Sequence, residues 1–167
     1  LMGGNYYKLP IEDFEKGIER LDELGMIDTE KLGTMGWSNG GILSNALIAY
    51  DQRFKAASCG AGGAEWISDW AVSWFGQSLT KTWFADPVEN PSYYTDPENA
   101  PFYAAEKVKT PVIMFHGEKD RNVATSMSWV TYRGIYKYGE TPVELYLFPD
   151  EPHMLQSKVH QQRKLEE

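Results

Sequence analysis

The stretch Gly36-Trp37-Ser38-Asn39-Gly40-Gly41 crowds three glycines around one serine. It follows Leu32 to Trp37, which reads as a short buried strand, and precedes a strongly apolar run over 40–50, which reads as a helix. A turn from strand to helix in so few residues forces the serine into an unfavourable backbone conformation. A Cβ at Gly36 or Gly40 is expected to clash there. Such a turn lifts the hydroxyl of Ser38 to the edge of a sheet, where the following helix directs its N-terminus. The N–H of Asn39 then becomes a candidate oxyanion donor. The competing reading is a glycine-rich turn of a nucleotide-binding fold, but the stretch has neither G-x-G-x-x-G nor the P-loop lysine.

The rest of the chain alternates. Ile11, Phe14, Ile18, Leu21 and Leu24 recur at helical spacing and predict an amphipathic helix over 11–24, with Gly25 as its stop. Residues 54–61 read as a buried strand of small side chains, 111–116 as the clearest strand of the chain, and 143–148 as another. Helices are expected over 126–138 and, polar in character, over 154–167. This alternation implies an α/β fold, a mostly parallel sheet with helices on both faces. The length of 167 residues suits a single domain with a sizeable core. The segment 62–108 departs from the alternation and is expected to be an irregular insertion between two strands. It is rich in Trp, Tyr, Phe and Pro, and reads either as local core under a long loop or as one wall of a binding pocket.

Composition narrows the function classes. A formal charge of −8 and a pI near 4.9 argue against a nucleic-acid partner. No apolar run has the length of a membrane span. Cys59 is the only cysteine, so no internal disulfide forms; this fits a reducing compartment such as the cytoplasm.

A serine hydroxyl needs a base to become nucleophilic, and the base needs an orienting group. Three histidines are present. His116 ends a strand, His153 follows the strand 143–148 through a short turn, and His160 falls in the polar helix, where a solvated side chain is expected. Parallel strands gather their C-terminal ends on one edge of the sheet. Ser38, Asp120 and His153 each follow a strand end by a few residues, so all three can meet there. Glu118 and Asp150 compete with Asp120 for the orienting role, and chain order and placement favour Asp120. His116 is expected to brace the turn.

Three stretches in this order, GWSNGG, VIMFHGEKDRNV and ELYLFPDEPHML, resemble the catalytic domain of the prolyl oligopeptidase family of serine peptidases, in particular its acylaminoacyl-peptidase and dipeptidyl-peptidase branches. GNYYKLPIEDFEKGIERL and APFYAAEKVKTP fit the same family, so the resemblance covers nearly the whole chain. It implies an α/β-hydrolase fold, no cofactor and no metal, with Ser38 as nucleophile, Asp120 as orienting carboxylate, His153 as base and the Asn39 N–H as oxyanion donor. It also implies that Trp66 lines the pocket for the side chain before the cleaved bond. The tyrosines that flank the pocket in dipeptidyl peptidases are not matched; Asp69, Trp70 and Trp74 occupy that neighbourhood, and Trp66 and Trp70 are the candidate substrate-binding residues. Asn39 replaces a frequent tyrosine, and Ala124 replaces a usual proline.

In that family a β-propeller and the first strands of the hydrolase domain precede the nucleophile, and a loop after one of those strands supplies the second oxyanion donor. The expectation is a partial domain that lacks its N-terminal strands, either cut from a longer peptidase or completed by another chain or by a second copy. The expected substrate is a short peptide or acylated amino acid. The alternatives are an ester cleaved by the same three residues, or an inert fragment.

Overall fold

The computed structural model describes residues 6–83 and 85–167; Leu1–Asn5, and Phe84 of the aromatic segment, lie outside the described residues. The first helix, α1, spans Lys8–Glu23. It ends in a Schellman arrangement: Gly25 takes φ +65°, the Met26 N–H donates to the Leu21 carbonyl and the Gly25 N–H to that of Asp22.

Four short apolar runs form one sheet, β1 (Gly33–Trp37), β2 (Ala56–Gly60), β3 (Val112–Gly117) and β4 (Val143–Phe148). All neighbours are parallel and the order is β1-β2-β3-β4. Parallel neighbours need crossovers, and right-handed crossovers that all step the same way stack their helices on one face. That face carries α2 (Asn39–Tyr50) and, after the long insertion, α6 (Thr125–Tyr138). α2 is buried on nearly every side, from Ile42 through Ala49, as expected of a helix apolar all round.

The two faces of the sheet follow from the period of two along each strand. Val112, Met114, Val143 and Leu145 join the main core with Ala46, Leu47 and Met127. Ile113, Phe115, Tyr146 and Phe148 point the other way and form a small cluster with Trp37 and Leu155. One helix, α7 (Lys158–Glu166), lies over that second face, with the Lys164 ammonium 4.7 Å from the Trp37 ring centroid. Helices therefore cover both faces, but in unequal layers.

Three expectations shift. The segment 62–108 is not irregular: it folds into α3 (Ile67–Val72), α4 (Gly76–Trp83), α5 (Pro91–Thr95) and a 3-10 helix over Pro101–Lys107, with Pro91 and Pro101 each in a first turn. Tyr93 and Tyr94 from this segment sit in the main core. The last helix begins at Lys158 rather than 154, because the Glu151 carboxylate binds the chain before it. It accepts the N–H groups of Gln156 at 2.6 Å and Ser157 at 3.0 Å. His160 is not a freely solvated side chain either; its Nδ1 lies 2.6 Å from the same carboxylate and its ring packs on Phe148. Among the described residues β1 pairs with β2 alone, so its outer edge is open, and Met35 on it is 80% exposed.

Candidate active site

The turn between β1 and α2 holds Ser38 at φ 60°, ψ −124°, a conformation that side chains other than glycine rarely adopt and that costs about 1–3 kcal/mol. The Ser38 N–H donates to the Gly60 carbonyl on the neighbouring strand, which ties the strained residue to the sheet. A Cβ at Gly36 would overlap the backbone of Gly40, as expected. Gly40 itself differs: a Cβ there would meet nothing. The second tight position is Gly41, where a Cβ would overlap the Gly60 carbonyl oxygen, because α2 crosses β2 at that residue. The Asn39 N–H opens α2 and has no intrahelical acceptor, so it stands ready for an anion beside Ser38.

The loop after β4 brings His153 over this turn. Its Nε2 is 2.8 Å from the Ser38 Oγ, and its Nδ1 is 2.7 Å from the Asp120 Oδ2. A carboxylate can only accept, so Nδ1 carries the proton and Nε2 is left with a lone pair facing the serine hydroxyl. The Trp37 indole N–H donates to the His153 carbonyl at 2.8 Å, so the residue before the serine clamps the loop that carries the imidazole. Neither competitor for the orienting role reaches His153. Glu118 is exposed, and Asp150 pairs with Lys119 on the surface.

Asp120 is buried and fully engaged. Its Oδ1 accepts the N–H groups of Asn122 at 2.8 Å and Val123 at 3.0 Å. Its Oδ2 also meets the Nε2 of His116 at 3.2 Å, and that nitrogen lies 3.0 Å from the Val123 carbonyl. Both neighbours are acceptors, so His116 donates from Nε2 and braces the carboxylate from behind. Burial alone would raise the Asp120 pKa; the hydrogen bonds from His116, His153 and Val123 outweigh it and hold the carboxyl below the usual range. Asp120 therefore stays anionic at neutral pH.

Ser38, Asn39 and His153 border a cavity of about 370 Å³ whose other walls include Ile42, Trp66, Asp69 and Phe75. Trp66 is one wall of the cavity that Ser38 borders, with the Tyr6 ring edge-on to it at 4.6 Å. Trp70 does not line the cavity; the residue before it, Asp69, does. The chain doubles back at Gly76 onto the backbone of Asp69 and Trp70, which fixes how α3 presents its side chains. Two residues of this wall have no marked pattern in the sequence. Tyr6 enters from before α1 and its hydroxyl donates to the Asn39 Oδ1, and Phe75 closes the side next to α4. Ala124 has a use for its N–H that a proline could not serve, donating to the Ser73 Oγ at 2.9 Å. A second hollow is lined by Lys8, Ile11, Glu12, Tyr50 and Glu98, with no serine, cysteine or histidine among the described residues that line it. Among the described residues no group of three or more His, Cys, Asp or Glu is placed to hold a metal ion, and no helix is long and apolar enough to cross a membrane.

A model of the prolyl oligopeptidase family matches residues 3–167. The chain belongs to that family. The uncharacterized peptidase YuxL of Bacillus subtilis is 28% identical over 164 residues, covering 98% of this chain and 24% of the relative. The acylamino-acid-releasing enzyme of Sus scrofa is 27% identical, covering 91% of this chain and 21% of the relative. The uncomplexed acylaminoacyl peptidase of Pyrococcus horikoshii superposes with a TM-score of 0.79 at 28% identity, over 86% of this chain and 23% of that one. The fold is that of the α/β-hydrolase peptidases. The chain spans about a quarter or less of the length of the relatives it matches.

Proposed function

We propose that this chain carries the catalytic centre of a serine peptidase acting on short peptides or acylated amino acids, with Ser38, His153 and Asp120 as its triad. The observation that carries the reading is the unbroken hydrogen-bond line from the Ser38 Oγ through both nitrogens of His153 to Asp120, at 2.8 and 2.7 Å. Ser38 attacks the substrate carbonyl while the Nε2 of His153 takes the hydroxyl proton. Asp120 stabilises the imidazolium that forms, and the Asn39 N–H holds the oxyanion. His153 then gives its proton to the leaving amine. A water deprotonated by the same nitrogen cleaves the acyl-enzyme and restores Ser38. No metal or cofactor enters these steps.

The Asn39 N–H is one donor; a second is worth on the order of 10²–10³ in rate. We assign it to a strand and loop beyond the open edge of β1, from the same polypeptide, another chain or a second copy. A fluorophosphonate tests the nucleophile: labelling that disappears in Ser38→Ala supports the reading, and labelling that survives in that variant overturns it. Dipeptidyl and N-acylaminoacyl amides, run beside short-chain esters, test the substrate class. Turnover of esters with none of the amides would replace the peptidase with an esterase.

A further inference from the structure

Asp69 is 4% exposed and is the one carboxylate among the described residues lining the cavity beside Ser38. Among the described residues no lysine or arginine lines that cavity, and none pairs with Asp69. Yet the carboxylate is deliberately held. The Ala124 N–H donates to the Ser73 Oγ, and the Ser73 hydroxyl hydrogen-bonds Asp69. Glu65, also buried, has one oxygen accepting the Ser68 N–H and the other with no hydrogen-bond partner among the described residues. The cavity it shares has apolar and aromatic walls from Ile42, Trp66, Phe75 and Val123, beside polar ones from Asn39 and Asn122. Such a site solvates an anion poorly and a cation well: the carboxylate supplies charge, and the ring faces supply cation–π attraction and contact for an alkyl stem.

We propose that Asp69 makes this cavity a receptor for an ammonium or guanidinium group on the acyl portion of the substrate. The assignment to the acyl portion rests on the reading of Ser38 as nucleophile, since the cavity shares the Asn39 wall on which the oxyanion would sit. A lysine-like side chain fits the chemistry best: its methylenes lie along Trp66 and Phe75 and its head meets Asp69. Burial pushes the Asp69 carboxyl up to about 6, the hydrogen bond from Ser73 pulling it back and the charge of Glu65 adding to the rise. Among the described residues the other titratable groups that line the cavity are Tyr6 and His153. Above neutral pH the site is anionic, and a bound cation relieves the cost of burying that charge.

The test measures equilibrium binding to the full-length Ser38→Ala protein, so it does not depend on turnover. Three ligands are titrated by calorimetry: Nα-acetyl-lysinamide, its neutral isostere Nα-acetyl-norleucinamide, and norleucinamide with a free α-amine. At about pH 8 the lysine ligand is expected to bind roughly 10- to 100-fold tighter than acetyl-norleucinamide, the scale of one charge-assisted hydrogen bond in a dry site. Tighter binding of norleucinamide instead would support the proposal with the α-amine as the cation. The preference should collapse toward unity in the same protein carrying Asp69→Asn, and shrink at about pH 5 as Asp69 takes a proton. Because each comparison is a ratio within one preparation, partial misfolding of a variant does not mimic it. Equal affinities at pH 8, or a preference that persists in Asp69→Asn, would overturn the proposal. A wild-type protein that takes up no fluorophosphonate label would instead count against the nucleophile alone.

Discussion

Replacing Asp69 by Asn should make the protein more stable at mildly alkaline pH and leave its stability nearly unchanged in acid. The folded-state carboxyl sits at about 6 against an ordinary 3.8, a rise of about two units, chiefly from burial. At 1.36 kcal/mol per unit this is about 3 kcal/mol. The sign follows from the raised value. Folding favours the neutral acid, so the full stability is present below about pH 4, declines as pH climbs through 6, and stays reduced above that. Asparagine never ionises and still offers an oxygen to Ser73, so the variant escapes the decline. Urea unfolding of wild type and Asp69→Asn, side by side at about pH 4 and about pH 8, isolates the effect, because acid titration of Asp120 and Glu151 is common to both proteins and cancels in the difference. The expected gain is about 2–3 kcal/mol at the higher pH and near zero at the lower. Equal differences at the two pH values would refute the claim that an uncompensated charge is buried beside Trp66, and the cation site with it.

Three further outcomes are expected. Gly41→Ala should destabilise strongly, by about 2 kcal/mol or more, because its Cβ overlaps the Gly60 carbonyl, whereas Gly40→Ala should be neutral or gain up to ~1 kcal/mol from helix propensity; thermal unfolding of the two variants checks the contrast. Trp37→Phe keeps the ring but removes the donor to the His153 carbonyl, so kcat should fall on the order of tenfold with KM little changed, and a fall in kcat/KM carried by KM alone would contradict the clamp. The chain by itself, with β1 unpaired, should associate in solution; light scattering that finds a stable 19.0 kDa monomer would argue that the open edge needs no partner.

Much of the architecture was legible because it rests on short-range patterns. The apolar runs at 33–37, 112–117 and 143–148 became strands within a residue or two of their expected ends, and the stop at Gly25 needed only a glycine where φ turns positive. Chain order then brought Ser38, Asp120 and His153 to one sheet edge, since parallel strands all end there. The segment 62–108 was harder. Its helices are five to eight residues long, too short for periodicity to outweigh the prolines and aromatics. The start of α7 was misjudged because what delays it is a buried carboxylate at Glu151, several residues upstream, binding backbone that would otherwise be helical.

Which glycines the elbow requires, which aromatic residues face the nucleophile and which carboxylate touches the imidazole depend on distances between segments far apart in the chain. Gly41 is constrained by Gly60, Tyr6 reaches Asn39, and Trp37 holds His153 from 116 residues away. The linear order carries the propensities and hydrophobic periods that decide strand, helix and sheet edge, because those interactions are local or repetitive. It does not carry the packing that places Asp69 rather than Trp70 at the cavity, because that packing joins segments such as α3 and Gly76, whose backbones meet too closely for a Cβ between them.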